Sequence, residues 1–203
     1  MSGRVFLLSP AYAGGRRAQI ILNERAQFAL AQRLRSAQPP SLGEVFTFLS
    51  GLYFRGKLAY AHAFAAPASV LVITPNRGLL PADLAIGRAE LRAFAKVDIH
   101  EDDPRYRKPL ERDARKLAKQ ISAETEVVLL GSIATGKYVD VLLQRFGDRL
   151  LFPSDFVGRG DMSRGGLLLR CAVDGCELEY RPVNGAMRKG KRPPKLEPRR
   201  YTK

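Results

Sequence analysis

The residues best suited to chemistry gather between Leu150 and Arg170, LLFPSDFVGRGDMSRGGLLLR. An apolar run ends at Pro153. Ser154, Asp155, Arg159, Asp161, Ser163 and Arg164 follow among four glycines, and a second apolar run starts at Leu167. A plain reversal needs only a handful of residues. Glycine lets a backbone approach a ligand closely, while arginines and hydroxyls suit phosphate. The spacing therefore predicts a long loop facing phosphate or nucleic acid. Asp155 and Asp161 are its only acids. Either could activate water for glycosidic-bond cleavage, or orient Arg159 and Arg164 through charge-assisted bonds; the second role needs no perturbed pKa.

Smaller groups of the same kind recur along the chain. Lys137 and Tyr138 follow an apolar run and Gly131-Ser132, which reads as an anion cradle at a helix N-terminus or as a tight strand–helix turn. Asn76 and Arg77 precede Gly78. Asn could read a base edge and Arg could pair with phosphate, or the four residues could simply form a β-turn. Arg16 and Arg17 open a helix after Tyr12 and Gly14-Gly15, as phosphate ligands or solvated first-turn arginines. Tyr53, Arg55 and Lys57 set an aromatic ring among cations, which could stack a base or lie in the core. His62 reads as a packing residue. His100, among Asp98, Glu101, Asp102 and Asp103, reads as part of a solvated loop in preference to a metal site. No Walker sequence, Ser-His-Asp arrangement or cysteine-rich site occurs, so neither cofactor nor metal is expected.

The elements that must position these groups alternate. Buried strands are expected at Arg4–Ser9, Ser69–Thr74, Glu126–Leu130 and Arg149–Phe152. Helices are expected over Arg16 to Ala37, from the Ser41/Glu44 capping box to Leu49, and from Leu52 to Ala66, where Pro67 ends the last. Further helices are expected from Pro81 to Ala95, from Asp103 and Pro104 to Ser122, and from Lys137 to Phe146. Asp174-Gly175 predicts a hairpin joining Leu167–Val173 to Glu177–Arg181. That hairpin sets Cys171 and Cys176 diagonally, a poor disulfide geometry, and two cysteines cannot complete a zinc site. The pattern is α/β: a largely parallel central sheet flanked by helices, a C-terminal β-hairpin and a disordered basic tail. Residues 1–187 form one domain and 188–203 the tail. In such folds ligands bind outside the C-terminal strand ends. Those ends, at Ser9, Asn76-Arg77, Ser132 and Ser154-Asp155, should converge on one edge.

Charge narrows the partner. The 203 residues carry a net charge of +14. The tail contributes eight Lys/Arg against one Glu, so half of the excess, +7, lies in the body. A basic body with a basic tail favours a polyanion, nucleic acid before a membrane surface. No apolar run approaches the roughly 18 residues of a membrane span. The short apolar run near the N-terminus is too brief for a signal-peptide core. A cytoplasmic protein is expected.

Three short motifs, Leu8-Ser9-Pro10-Ala11, Leu49-Ser50-Gly51-Leu52-Tyr53 and Arg159-Gly160-Asp161-Met162-Ser163-Arg164, resemble the bacterial peroxide-stress-resistance family of YaaA-like DNA-binding proteins. The segment ITPNRGLLPADLAI is similar to an element of a related phage and bacterial family. These families in turn resemble the uracil-DNA glycosylase fold. There a strand ending Leu-Gly-x-x-Ala, here Leu130-Gly131-Ser132-Ile133-Ala134, precedes a strand ending His-Pro-Ser, here Phe152-Pro153-Ser154. Phe152 stands where the glycosylases have histidine, so that residue's catalytic role does not carry over. The resemblance implies a DNA-binding protein of glycosylase-like fold, acting in DNA damage or base modification. A nucleotide- or nucleoside-processing enzyme using the same strand ends, and a basic adaptor for a protein partner, are the alternatives.

Overall fold

The computed structural model describes residues 3–65 and 69–198. Six strands form one sheet: β1 (Arg4–Leu8), β2 (Val70–Ile73), β3 (Leu79–Pro81), β4 (Glu126–Leu130), β5 (Leu150–Pro153) and β6 (Tyr180–Pro182). Their order is β3-β2-β1-β4-β5-β6. The central strands β2, β1, β4 and β5 run parallel, and the short edges β3 and β6 run antiparallel to their neighbours. In register, Leu8 of β1 lies beside Val72 of β2 and Leu130 of β4. The four parallel strands therefore end on one edge, as the α/β pattern demands.

Strand alternation divides the core in two. Phe6, Leu8, Val72, Val128 and Leu130 face one layer, built from α1 (Arg16–Leu22), α2 (Ala29–Leu34), α3 (Leu42–Ser50), α4 (Leu52–Phe64), α5 (Arg88–Phe94) and α8 (Asp161–Asp174). Val5, Leu7, Ile73, Val127 and Leu129 face the other, built from α6 (Pro104–Gln120) and α7 (Gly136–Phe146). The capping box at Ser41 and Glu44 is formed, with both reciprocal bonds in place. Asp103 caps α6, with Pro104 at its first position.

Several expectations are corrected. The helix expected from Arg16 to Ala37 breaks at Asn23, whose side chain accepts the Arg25 N–H and so draws the backbone out of the helix. Pro81 ends a strand instead of starting a helix. The Thr74 N–H and hydroxyl both donate to the Gly78 carbonyl, each at 2.9 Å, closing a hairpin that turns β3 back along β2. The helix after it starts only at Arg88. Pro67, expected to end α4, lies outside the described residues.

The largest correction concerns the C-terminal hairpin and the long loop. Asp161 to Asp174 is one helix, so Arg159–Arg164 leads into and forms its first turn. Gly175 is its left-handed C-cap (φ 66°, ψ 19°), with the Cys176 N–H bonded to the Cys171 carbonyl. An Asp-Gly pair suits either a hairpin turn or a helix end, and a short apolar run has no decisive period. Cys171 is buried, Cys176 is exposed, and no disulfide joins them. The chain after α8 instead adds β6 to the open edge of β5. Residues 183–198 continue without regular secondary structure; Lys191 passes the Gly158 loop and Arg170 donates to the Glu197 carbonyl.

Candidate functional site

Chain connections reverse direction between β1 and β4: β2 lies on one side of β1, and β4 and β5 on the other. Carboxyl ends at such a switch point splay apart and leave a crevice. A cleft of ≈ 720 Å³ opens there. Its floor includes Ser9 after β1 and Ser132 after β4, and Asp161 of α8 reaches it from one side. Tyr12, Arg16, Arg17 and Lys137 also line it, all four exposed. Neither Arg16 nor Lys137 takes part in an ion pair among the described residues. Two unpaired cations beside a concave surface make it attractive to an anion.

Behind the floor lies a buried polar group that the cleft lining only touches. A Cβ on Gly131 would fall 2.8 Å from Ser9 Cβ and 3.0 Å from the Tyr138 hydroxyl, so glycine is what lets β4 pass this close to Ser9. Lys57 of α4 is 1% exposed. Its Nζ lies 2.6 Å from the Ser9 carbonyl and 2.9 Å from Ser9 Oγ. It also sits over the Tyr53 and Phe54 rings, 4.5 and 4.6 Å from their centroids. Burial pulls the Lys57 ammonium down to about 7; Asp161 opposes that shift and Arg164 reinforces it. The Tyr138 hydroxyl donates to the Ser132 carbonyl at 2.8 Å, and burial pushes it up to about 12. The Tyr53 hydroxyl, also in the cleft lining, is buried without a hydrogen-bond partner among the described residues.

Six of the expected ligands thus converge: Ser9, Arg16, Arg17, Ser132, Lys137 and Tyr138, joined by Asp161. Arg164 lies just beneath. It is 9% exposed, donates twice to the Phe156 carbonyl and pairs with Asp161 at 3.5 Å. Asp161 therefore does orient an arginine. The others go elsewhere. Asn76 donates to the Ala93 carbonyl, and Asn76 and Arg77 line separate hollows beside α5 and α6. Arg159 is spent on the Asp155 carbonyl and the Ser163 hydroxyl. Ser154 faces Glu179, and Asp155 is exposed outside the cleft. Phe152 is 2% exposed and packs in the second core layer. Although β2 and β5 end on the same edge, their loops turn away from the β1–β4 crevice.

Lys57 is a site residue that the sequence reading sets only among the cations around Tyr53. A signal was present: Tyr53, Lys57 and Tyr60 follow the i, i+4, i+7 spacing of a buried helix stripe. A lysine on such a stripe must be buried, and a buried lysine needs an acceptor. His100 reaches the cleft rim, with its Nδ1 3.7 Å from Asp102. Among the described residues no three His, Cys, Asp or Glu side chains gather as metal ligands. Comparison with protein-family models, with curated proteins and with solved structures finds no match.

Proposed function

We propose that this chain is a nucleic-acid-binding protein, with DNA preferred to RNA, that receives a phosphate-bearing strand in the β1–β4 cleft. One observation carries the reading: Arg16, Arg17 and Lys137 come from two separate helices to one concave crevice at the sheet's switch point. Tyr12, 66% exposed beside them, offers a ring on which a base can stack. The basic tail, passing the loop before α8, adds sequence-independent attraction. A YaaA-like or glycosylase-like relationship, a cytoplasmic location and a role in DNA damage or base modification belong to the same proposal and rest on the short motifs. Base excision by the glycosylase route has no support, because Phe152 replaces the histidine and is sealed in the core.

Fluorescence anisotropy with single- and double-stranded oligonucleotides over a salt series tests the reading. The logarithm of affinity should fall steeply with the logarithm of salt. Arg16→Ala and Lys137→Ala should each weaken binding and reduce the slope by about 1. Salt-independent affinity, or variants that bind like the parent, would count against it. The cleft volume also lies within the range of small-ligand pockets, about 300–1,000 Å³. That keeps a mononucleotide enzyme as the second reading, marked by saturable thermal stabilisation with one nucleotide and indifference to loss of residues 188–203.

A further inference from the structure

Ser9 and Lys57 stand in a relation that phosphate binding does not require. Among the described residues Nζ contacts only two hydrogen-bonding groups, the carbonyl and the hydroxyl of the same serine. A neutral amine has two N–H donors and one lone pair. With one N–H given to the carbonyl, its lone pair can face the Oγ–H, so the hydroxyl becomes the donor. That is the geometry of a general base on a serine nucleophile. Ser9 lines the cleft floor while Lys57 is shut off behind it. Ser9 is itself only 5% exposed, so the serine meets the cleft at its innermost edge and the base behind it is shielded from water.

We propose that Ser9 is a nucleophile, with Lys57 as its general base, toward the phosphorus of an anionic phosphate ester held in this cleft. The substrate class rests on the phosphate-binding reading above. Ser9 Oγ bonds to phosphorus as Nζ takes its proton. The bond from phosphorus to one ester oxygen breaks, and that oxygen leaves as an alcohol after receiving the proton from Nζ. Water, activated by the same Nζ, then attacks the seryl phosphodiester and frees Ser9. The sum is a phosphodiester plus water giving a phosphate monoester and an alcohol. Arg16 and Lys137 line the same cleft, where their cations can meet the negative charge of the non-bridging oxygens.

Burial sets the protonation of Lys57 first, with Asp161 favouring and Arg164 opposing the ammonium, and the titratable groups around the pair come from three helices. Tyr53 lies on its own helix, Tyr138 lies on α7 next to Ser9, and Asp161 and Arg164 face it from α8. The base works only when neutral, so reaction should rise as pH passes through about 7 and level off above it. Asp161→Asn, which removes a carboxylate favouring the ammonium, should move that midpoint lower.

The test is labelling of the full-length protein with a neutral alkyl fluorophosphonate, followed by peptide mass spectrometry across pH. The expected result is one adduct on Ser9, with fluoride displaced, absent in Ser9→Ala and slowed about 100-fold in Lys57→Met. No adduct at any pH, a rate that does not rise with pH, or equal labelling of Lys57→Met would overturn the proposal. Should Lys57→Met fail to fold, as circular dichroism would reveal, the pH profile of the parent decides. The probe needs neither nucleic acid nor an anion site. DNA binding without labelling defeats this proposal alone, and labelling without DNA binding defeats only the binding reading and the substrate class.

Discussion

At the scale of single residues, the cost of the site is concentrated in one buried amine. An ordinary lysine titrates near 10.5, but desolvation brings Lys57 to about 7. Between these values the unfolded chain holds a proton that the folded protein does not. This group's contribution to stability is therefore complete above about 10.5 and lost as pH falls through about 7. Urea unfolding of the parent from pH 7 to 10 should show a rising component of at most about 1.4 kcal/mol per pH unit. Lys57→Met should flatten it; an unchanged slope in that variant would mean that Lys57 is not the titrating group. Gly131, also buried, can be tested as directly. Gly131→Ala forces a methyl against Ser9 and the Tyr138 hydroxyl, so it should slow labelling of Ser9 while leaving Arg16 and Lys137 in place.

At the scale of elements, α4 and α8 are what bring Lys57, Asp161 and Arg164 together. They cross backbone to backbone. A Cβ on Gly165 would fall 2.7 Å from both the Leu52 carbonyl and Tyr53 Cα, and one on Gly56 would fall 2.5 Å from the Gly165 carbonyl. Gly166, next in the same helix, would meet only Leu196 Cδ1 at 3.5 Å. Alanine at these neighbours should act in opposite directions. Gly165→Ala must push the helices apart, at a loss of about 1–3 kcal/mol. Gly166→Ala removes backbone freedom from a helix interior and should gain about 0.5–1 kcal/mol. Denaturant midpoints decide it, and equal effects would contradict the close crossing. Ser41→Ala, which deletes the hydroxyl half of the α3 capping box, should lose about 1 kcal/mol by the same measurement.

At the scale of the molecule, body and tail divide the positive charge equally but do different work. The sheet is complete at β6, and Val183 just beyond it is 2% exposed. Removing residues 188–203 should change the melting temperature little, while lowering polyanion affinity and the salt slope without abolishing them. Total loss of binding would shift the site from the cleft to the tail. The sequence alone determined much of this architecture. The four parallel strands, the Ser41 and Asp103 caps and the excess of cations are written in local periodicity, side-chain hydrogen bonding and composition, which act over a few residues. It also placed Ser9 and Ser132 at strand ends and Lys137 at the start of the helix that follows β4. Only the tertiary structure decided that Gly165 serves a helix crossing instead of a ligand loop, because a backbone contact is invisible until the partner helix is in position. Likewise Lys57 is one basic residue among 34 until α4 turns it inward behind Ser9, 48 positions away in the chain. The stripe of Tyr53, Lys57 and Tyr60 signals burial locally, but proximity to Ser9 across that separation depends on how layers pack.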